Sequence, residues 1–479
     1  FAAPKKAMYF VGWDNASRNQ IWTQGQGKYT SHWLPSIDDM NDKIEFDLSI
    51  VAPKNYQVIS NGKMVSKRES PSYNLWEFDM QNPMSSYLVA LVIGKYNKKI
   101  AYSKSGIPLE MYYYPEDTLK FEPTYRYTKY IFDFLESEIG VPYPWQNYKQ
   151  VPVKDFLYAG MENTSATIFA DSFVIDSIAF TDKNYVNVNA HELAHQWFGN
   201  LVTETSGTHH WLQEGFATYY ALLAERDIFG DDYYYWQLYK YAQALLEQDR
   251  VGASTSLLNP KSSSTTFYKK GAWSLHVLRK QVGDKAFKQA VKNYLLNHQF
   301  KNIKTEDFIA EVEKTSKIDL TAFVSIWLED ASFYYETCLN HLKNDSKEIN
   351  ALIALNTTLS TLSDTTDFDI NVYFKNSKSS KIKSRLFSKD IINLVADSTL
   401  KQALLSKDLK LRQAIALNLR QIPSALKTDY ESLLNDNSYV TIEAALFNLW
   451  NNFPQERHKY LNQTKGIEGF NDKNIKILW

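Results

Sequence analysis

Cysteine is almost absent from this chain, since Cys338 is the only one among 479 residues. A disulfide within the chain is therefore excluded. One free cysteine is typical of a reducing compartment, but it is also compatible with a periplasmic or secreted protein. At this length we expect two to four domains with large hydrophobic cores.

An excess of charge and a long hydrophobic run are missing as well. The 53 Lys and Arg residues are offset by 54 Asp and Glu residues, which gives a net charge of −1. Such a chain has no strong electrostatic attraction to nucleic acid or to an anionic membrane, so we expect neither as a partner. The longest apolar run, residues 87–93, is too short for a transmembrane segment and is interpreted as a buried strand.

An initiator methionine is also lacking, because the chain begins at Phe1 within a strand-like pattern. We therefore expect a processed or trimmed chain whose N-terminal β domain is incomplete at its start. No signal peptide is visible, but trimming could have removed one. We expect a soluble protein, and the sequence leaves both the cytoplasm and the periplasm open.

Residues 1–107 have the pattern of a β domain. Apolar side chains alternate with polar ones at Ile44, Phe46, Leu48 and Ile50, as in a half-buried strand. Asn61-Gly62 predicts a tight turn and thus a hairpin over residues 58–65. Residues 73–80 and 87–93 predict two more strands.

Helical patterns increase after residue 107. We predict a strand at residues 109–114, a helix at 123–139 that ends at Gly140, and a strand at 150–153. From about residue 187 to residue 328 the patterns are mostly helical. The whole is therefore a multidomain α+β protein, with a second domain over residues 108–332.

Residues 333–479 form the third predicted domain, which is mainly α-helical. Residues 335–342 favour a helix and residues 368–374 a strand, while 345–388 as a whole gives no consistent pattern. Two similar runs begin at Leu404-Leu405 and at Leu433-Leu434 and each ends at a proline. This spacing of about 30 residues predicts HEAT-like helix pairs stacked as a solenoid. The alternative is a set of ordinary helices with coincidental leucines.

The strongest chemical signal is a pair of histidines one helical turn apart. His191 and His195 lie in a predicted helix over residues 187–198, so their imidazoles share one face. Two imidazoles so placed can bind one Zn²⁺ at about 2.0–2.1 Å. Glu214, 19 residues past His195, lies in the first turns of a second predicted helix. A short loop between the helices can bring its carboxylate to the histidines.

Three protein ligands and one water form a catalytic zinc site rather than a structural one. We therefore predict one Zn²⁺ per chain, bound by His191, His195 and Glu214. Glu192 projects beside the histidines and is free to act as a base on metal-bound water. The alternative for Glu214 is a solvated carboxylate on a helix surface. His209 and His210 are interpreted as loop or packing residues, because the metal set is complete without them.

Four separated motifs carry a resemblance to a known family. They are Gln24-Gly25-Gln26 before Leu34-Pro35, Gly160-Met161-Glu162-Asn163, residues 191–203 with 211–218, and Tyr268-Lys269-Lys270-Gly271-Ala272. In this order they resemble the aminopeptidase N family of zinc metallopeptidases, gluzincins that include the leukotriene hydrolases. The resemblance covers residues 8–330. It implies that residues 108–332 are a thermolysin-like catalytic domain behind an N-terminal β domain.

The resemblance also implies roles for residues outside the metal set. Glu162 corresponds to the family's anchor for the substrate α-amine, and Gln26 to its second amine contact. Tyr268 corresponds to the catalytic tyrosine that stabilises the oxyanion, while Gly160 and Met161 line the substrate backbone. The alternatives are a turn-capping carboxylate for Glu162, a surface amide for Gln26 and a core tyrosine for Tyr268. One departure is Ala159-Gly160, where many members have Gly-Ala.

The function predicted from these residues is a zinc-dependent aminopeptidase. Its partners are expected to be peptides with a free N-terminal amine. One alternative is an endopeptidase or an epoxide hydrolase that uses the same zinc site. Another is a peptide-binding scaffold with a vestigial site, against which the intact set of His191, Glu192, His195, Glu214 and Tyr268 argues.

Overall fold

A computed structural model describes residues 6–13, 18–360 and 368–479. The strand pattern expected at Phe1 lies outside these residues. The chain divides into two compact units, which we describe separately. Unit 1 comprises Phe1–Phe173 and Tyr185–Leu339, and unit 2 comprises Val174–Asn184 and Asn340–Trp479.

The strands lie in the first two thirds of the chain. Those of the described residues are β1 (Met8–Val11), β2 (Gln20–Thr23), β3 (Lys43–Ile44), β4 (Leu48–Pro53), β5 (Gln57–Ser60), β6 (Lys63–Glu69), β7 (Tyr73–Asp79), β8 (Met84–Ser85), β9 (Leu91–Gly94), β10 (Asn97–Tyr102), β11 (Pro108–Tyr113), β12 (Tyr148–Val153), β13 (Gly160–Met161), β14 (Ala166–Ala170), β15 (Val202–Glu204) and β16 (Lys301–Ile303).

Helices follow from β11 onward. Those of the described residues are α1 (Phe121–Tyr125), α2 (Thr128–Ile139), α3 (Val186–Ala194), α4 (Trp211–Phe229), α5 (Asp231–Arg250), α6 (Gly271–Val282), α7 (Asp284–His298), α8 (Thr305–Ser316), α9 (Thr321–Phe323), α10 (Tyr335–Asp345), α11 (Lys347–Ser360), α12 (Ile370–Asn376), α13 (Ser380–Leu386), α14 (Asp397–Leu404), α15 (Leu409–Asn418), α16 (Lys427–Glu431), α17 (Tyr439–Asn452), α18 (Arg457–Gln463) and α19 (Asn474–Ile477). Short 3-10 turns and two π-helical segments, Thr265–Lys270 and Val324–Glu329, connect them.

The N-terminal β region is built from small antiparallel sheets. Their strand orders are β1-β2-β9-β5, β4-β7-β6 and β3-β8. The strand predicted at residues 73–80 is confirmed as β7. The strand predicted at residues 87–93 is only partly right, because Ser86–Leu88 forms a 3-10 turn and β9 begins at Leu91.

The hairpin predicted over residues 58–65 is wrong, although the turn itself is present. Gly62 has a φ of +70°, but β5 pairs with β9 while β6 pairs with β7. The side chain of Asn61 explains the divergence, because its amide donates to the carbonyls of Leu88 and Thr164. These bonds fix the turn to other segments, so the two strands leave it in different sheets.

A five-stranded mixed sheet follows, in the order β10-β11-β12-β14-β13. β11, β12 and β14 run parallel, while β10 and β13 are antiparallel edge strands. Side chains of this sheet and of the β1-β2-β9-β5 sheet share one apolar cluster, in which Trp22, Val92, Val151 and Ile168 are buried. The short edge strand β13 carries the Gly160-Met161 pair. Because β13 pairs with β14, whose Ile168 belongs to this cluster, the cluster fixes the position of the edge strand.

The helix predicted over residues 123–139 is present in two pieces, α1 and α2, and it ends at Gly140 in the left-handed conformation. Helix α4 is the centre of the helical part of unit 1. Every residue from Trp211 to Glu225 is buried, and α4 contacts α3, α5 and α6. A helix that is buried on every face needs neighbours on every side. One of these neighbours is the motif helix α3, the helix that carries His191, and the first turn of α4 lies beside it.

Unit 2 is helical and has its own core. α15 contacts α13 and α17, and these helices contribute Ile382, Ile415 and Leu449 to one apolar cluster. The strand predicted at residues 368–374 is wrong, because α12 occupies this position. Asp369 caps it by accepting hydrogen bonds from the N–H groups of Asn371 and Val372, which starts a helix where the apolar pattern is ambiguous. α13 likewise begins within residues 345–388, where the sequence gives no consistent pattern, and Ser379 is its cap.

The segment Val174–Asn184 belongs to unit 2 although it is far from the rest of that unit in sequence. Its Ile175 and Ala179 are part of the same apolar cluster as the C-terminal helices. Asp182 accepts a 2.9 Å hydrogen bond from Ser438 Oγ at the start of α17. Within the residues described here, no helix combines the length and the apolarity needed to cross a bilayer.

Gly62 gives a test of the Asn-Gly turn. A Cβ at this position would overlap the carbonyl oxygen of Asp79 and would also be held at a positive φ. We expect Gly62→Ala to lower the free energy of unfolding by about 3 kcal/mol or more. Urea denaturation followed by tryptophan fluorescence measures this loss.

Gly106→Ala is the matched control, because Gly106 also has a positive φ, of +88°, but nothing lies within 4 Å of its Cβ position. It should cost only the conformational penalty of about 1–2 kcal/mol. Equal losses in the two variants would contradict the steric role of Asp79.

Candidate metal centre and active site

The paired histidines lie at the C-terminal end of α3. His191 is in the helix, and His195 is its C-cap residue. α3 ends at Ala194, earlier than the predicted residue 198, because the chain tightens there: the N–H of Gln196 bonds to the carbonyl of Leu193. The buried side chains of Trp197 and Phe198 hold this end of the helix in the core.

Three donor atoms converge at this point. Nε2 of His191 and Nε2 of His195 are 3.0 Å apart, and they lie 3.2 Å and 3.4 Å from Oε2 of Glu214. Tetrahedral ligands at about 2.0–2.1 Å from a zinc ion are about 3.3–3.4 Å apart. The triangle thus has the size that one Zn²⁺ requires, and two imidazoles with one carboxylate are donors that zinc prefers.

The orientation of His195 also suits a metal ligand. Its Nδ1 is 2.9 Å from the carbonyl oxygen of Phe198, so Nδ1–H donates there and Nε2 is left with its lone pair for a cation. The carboxylate of Glu214 is buried, which disfavours its charge, but His195, His191 and His210 hold its pKa well below the usual range. Glu214 is therefore an anion in the folded chain.

His210 differs from what the sequence indicates, because it is not a simple packing residue. Its Nδ1 lies 3.1 Å from Oε1 of Glu204, and its Nε2 lies 3.6 Å from Oε1 of Glu214. The signal for this contact was present in the sequence, since residues four apart share a helix face. Glu204 carried no such signal, because β15 brings it to His210. The interpretation of His209 as a packing residue agrees with its buried ring, which bonds to Thr305.

Glu192 lies in the same cleft as the donors. Its side chain is buried, and burial holds the pKa of its carboxyl well above the usual range. A Cβ at Gly160 would lie 2.5 Å from its Oε1, so the missing side chain at Gly160 leaves room for this carboxylate. A carboxyl group with a raised pKa can both accept and return a proton near neutral pH.

The Met-Glu-Asn loop is fixed to the motif helix through its backbone. The carbonyl of Glu162 accepts hydrogen bonds from the side-chain amides of Asn200 and Gln196, at 2.7 Å and 3.2 Å. Both amides lie within the motif of residues 191–203, but the sequence does not predict this role for them. They join the loop to the chain just beyond His195, so the metal ligands and Glu162 are positioned together.

The side chain of Glu162 has an unusual environment. It is buried, and its Oε1 has no hydrogen-bond partner among the described residues. Burial raises the pKa of this carboxyl above its ordinary value, although the charge of His195 acts against the shift. A buried carboxylate oxygen without a donor is costly, and it is a ready acceptor for a cationic ligand.

Gln26 and Met161 border the same region. Gln26 is half-buried, and its N–H donates to Oε1 of Gln24 at 2.8 Å. Met161 is buried and pairs with Ile168 of β14, which fixes the edge strand that leads to Glu162. Gln26 therefore lines the cleft that holds Glu162, whereas Met161 is not among the lining residues and acts through the pairing of β13.

Tyr268 lies opposite these residues on the π-helical segment Thr265–Lys270. Its ring stacks on that of His191, with centroids 5.3 Å apart and an interplanar angle of 6°. Burial, and then the charge of Glu214, raise the pKa of the Tyr268 hydroxyl above its ordinary value. The hydroxyl is therefore protonated and can act as a hydrogen-bond donor.

Two glycines explain why Tyr268 comes so close to the donors. A Cβ on Gly215 would lie 3.0 Å from Cα of Gly271, and one on Gly271 would lie 2.7 Å from Cα of Gly215. α4 and α6 therefore touch backbone to backbone, directly after Glu214 and directly after the Tyr268 segment. Any larger residue at either position would separate Tyr268 from the metal centre.

These side chains line one cleft of about 460 Å³. The predicted residues that line it are Gln26, Gly160, Glu162, His191, Glu192, His195, Glu214 and Tyr268. A second group of donors in the described chain, Glu162, Glu192 and His195, shares His195 with the first group. It is part of the same centre and not a separate metal site.

The unpartnered carboxylate of Glu162 leads to a stability prediction. In the metal-free protein, Glu162→Gln should raise the free energy of unfolding by about 1–2 kcal/mol, because an amide is less costly to bury than a carboxylate. Thermal or urea unfolding at neutral pH measures the gain.

Glu225→Gln is the control, since Glu225 is also buried but both its oxygens accept hydrogen bonds, from Asn187 and Tyr233. It should give no gain. A Glu162→Gln variant that is less stable than the wild type would show that the carboxylate has a partner.

Comparisons with known proteins agree with this arrangement. The Peptidase M1 N-terminal domain matches residues 5–88, and the Peptidase family M1 domain matches residues 124–327. The second match contains the motif helix, Glu162, Glu214 and Tyr268.

Curated relatives cover the same part of the chain. Glutamyl aminopeptidase of Bos taurus is 30% identical over 365 residues, which cover 68% of this chain and 37% of that protein. Aminopeptidase N of Streptomyces lividans is 30% identical over 331 residues, which cover 65% of this chain and 38% of that protein. The chain thus matches less than two fifths of the length of these relatives.

A solved structure shares the fold. The M1 zinc metallopeptidase of Deinococcus radiodurans superposes with a TM-score of 0.57 at 23% identity, over 66% of this chain and 70% of that one. A variant of that protein has been solved with the substrate Tyr-Ser-Ala. By its two matching domains, in their order and with their motifs, the chain described here belongs to peptidase family M1.

Proposed function

We propose that the protein is a zinc-dependent aminopeptidase that hydrolyses the first peptide bond of peptides with a free N-terminal amine. One Zn²⁺ per chain would be held by His191, His195 and Glu214. The observation that carries the proposal is the position of Glu162: its buried, unpartnered Oε1 lies in the same cleft as the three donors. A cation site and an anionic anchor in one cleft suit a substrate that has a carbonyl close to an ammonium group.

The chemistry is divided among the residues of the cleft. When bound, Zn²⁺ polarises the scissile carbonyl and lowers the pKa of a water molecule. Glu192 accepts the proton of the attacking water and returns it to the leaving amine, a role that its raised pKa favours. Tyr268 donates a hydrogen bond to the oxygen that becomes negatively charged, which is worth about 3 kcal/mol for comparable donors.

Recognition of the amine sets the position of cleavage. Glu162 offers a carboxylate to the α-ammonium group in a charge-assisted hydrogen bond, and Gln26 offers an amide oxygen beside it. The substrate backbone would extend along the edge strand β13, at Gly160 and Met161, as an added strand. Because the anchor lies next to the metal centre, only the first peptide bond reaches the donors. The same geometry disfavours an endopeptidase.

The relatives support this function, since they include a glutamyl aminopeptidase and an aminopeptidase N. The presence of the complete set in one cleft supports an enzyme over a scaffold with a vestigial site; the set comprises His191, Glu192, His195, Glu214 and Tyr268. We also propose the domain division 1–107, 108–332 and 333–479, with HEAT-like stacking in the last part. Successive contacts from α13 to α15 and from α15 to α17 support that stacking.

The role of Glu192 is tested by Glu192→Gln. Turnover of aminoacyl-nitroanilides should fall by about 10²–10⁴-fold, because the general base is lost. Zinc content should stay at one ion per chain, since Glu192 is not among the proposed ligands. Glu311→Gln is the control, because Glu311 is buried but lies outside the cleft. Unchanged turnover in Glu192→Gln would disprove the mechanism.

The amine anchor is tested by Glu162→Ala with two substrate sets. Removal of the carboxylate should lower kcat/KM for peptides with free amines by about 100-fold, equivalent to about 2.7 kcal/mol of charge-assisted bonding. The same peptides with an N-acetyl group are poor substrates of the wild type and should lose little more. Equal fractional losses on both sets would remove the anchor role from Glu162.

A further inference from the structure

The pair formed by Glu204 and His210 has no part in the mechanism above, yet it lies against the metal centre. Both carboxylate oxygens of Glu204 are 3.1 Å from Nδ1 of His210. Glu204 is buried at the end of β15, while the side chain of His210 is 26% exposed and packs edge-on against Phe267. A carboxylate–imidazole pair this close to Glu214 calls for an explanation.

Helix geometry places His210 beside Glu214. His210 is the residue before α4, and its carbonyl accepts the N–H of Glu214 in the first helical turn. The two side chains, four positions apart, therefore project along the same face. The oxygens of Glu214 are divided: Oε2 faces the two histidines of the motif, and Oε1 faces Nε2 of His210 at 3.6 Å.

We propose that His210 is a positioning residue for Glu214, and that Glu204 holds His210 in place. The inference rests on the proposed function, in which Glu214 is a metal ligand. A carboxylate that binds zinc through one oxygen can rotate unless its other oxygen is held, and such outer contacts commonly change metal affinity by about 10–100-fold. The ring of His210 lies between the two carboxylates: Nδ1 is within hydrogen-bond distance of Glu204, and Nε2 faces Oε1 of Glu214 at 3.6 Å.

A purely structural pair would be the simpler explanation, but the loop is held without it. The N–H of Glu204 donates to Oε1 of Gln213, and the N–H of Thr305 donates to Nδ1 of His209, at 3.0 Å and 3.1 Å. β15 is also paired with β16 over its whole length. The contacts of His210 therefore add little to the stability of this loop. Besides Glu204, His210 faces Glu214, the carboxylate among the proposed metal ligands.

Two substitutions separate the contacts of His210. In His210→Asn the amide nitrogen lies near the position of Nδ1, so the hydrogen bond to Glu204 is kept and the 3.6 Å contact with Glu214 is lost. In His210→Gln the amide nitrogen reaches the position of Nε2 and can still donate to Glu214. The measurements are zinc affinity by competition with a chromophoric chelator, the visible spectrum of the cobalt-substituted protein, and thermal unfolding of the metal-free protein.

We expect His210→Asn to bind zinc about 10–100-fold more weakly and to change the cobalt spectrum, without a change in metal-free stability. His210→Gln should stay within a few-fold of the wild type. Equal zinc affinities in all three proteins would overturn the inference, and so would a loss of metal-free stability with unchanged affinity.

The parent protein and Glu214→Gln separate this inference from the proposed function. If the wild type binds one zinc and Glu214→Gln binds none, the metal centre stands and only the His210 variants decide the inference. If the wild type binds no zinc, the proposed function and the inference both fail.

Discussion

The structure depends on the burial of three carboxyl groups and two imidazoles around a single point. Glu162, Glu192 and Glu214 are each buried, and the burial of three carboxyl groups this close together is unfavourable even though the charge of His195 offsets part of it. The donors cannot move apart to relieve this, because α4 is buried on every face around Glu214 and the buried side chains of Trp197 and Phe198 hold the end of α3. The helices and strands around the cleft therefore form a rigid frame that holds these groups in an unfavourable arrangement. The proposed Zn²⁺ would relieve part of it, and the ammonium group of the proposed substrate would relieve the rest.

Backbone contacts provide the rigidity of that frame. The glycine contact between Gly215 and Gly271 sets the distance from Glu214 to Tyr268, and the amides of Asn200 and Gln196 tie the Glu162 loop to the motif helix. Each of these contacts fixes two side chains of the cleft relative to one another through residues that are themselves neither proposed ligand nor proposed base. A rigid scaffold of this kind suits a site in which the reacting groups must lie within a fraction of an ångström of their working positions.

The sequence predicted the metal centre better than the chain that surrounds it. Histidines four apart identify a helix face whatever the rest of the fold does, and Glu214 followed from a short loop between two helices. The pairing of β5 could not be predicted from the local pattern. It depends on hydrogen bonds from Asn61 to Leu88 and Thr164, which are distant in sequence. Apolar and polar residues alternate over 368–374 as they do in a strand, but the cap formed by Asp369 stabilises a helix instead. The contact of Glu204 with His210 likewise depends on tertiary structure.

The segment Val174–Asn184 has a consequence for the way the protein is made. Its Ile175 and Ala179 belong to a core whose other members lie after Asn340, so this core cannot close while the ribosome is still translating the stretch between them. During that time the nascent chain exposes an apolar segment just ahead of the motif helix. This core is therefore completed only after the helices that follow Asn340 have been synthesised. A chaperone that covers short apolar segments would be expected to associate at this stage.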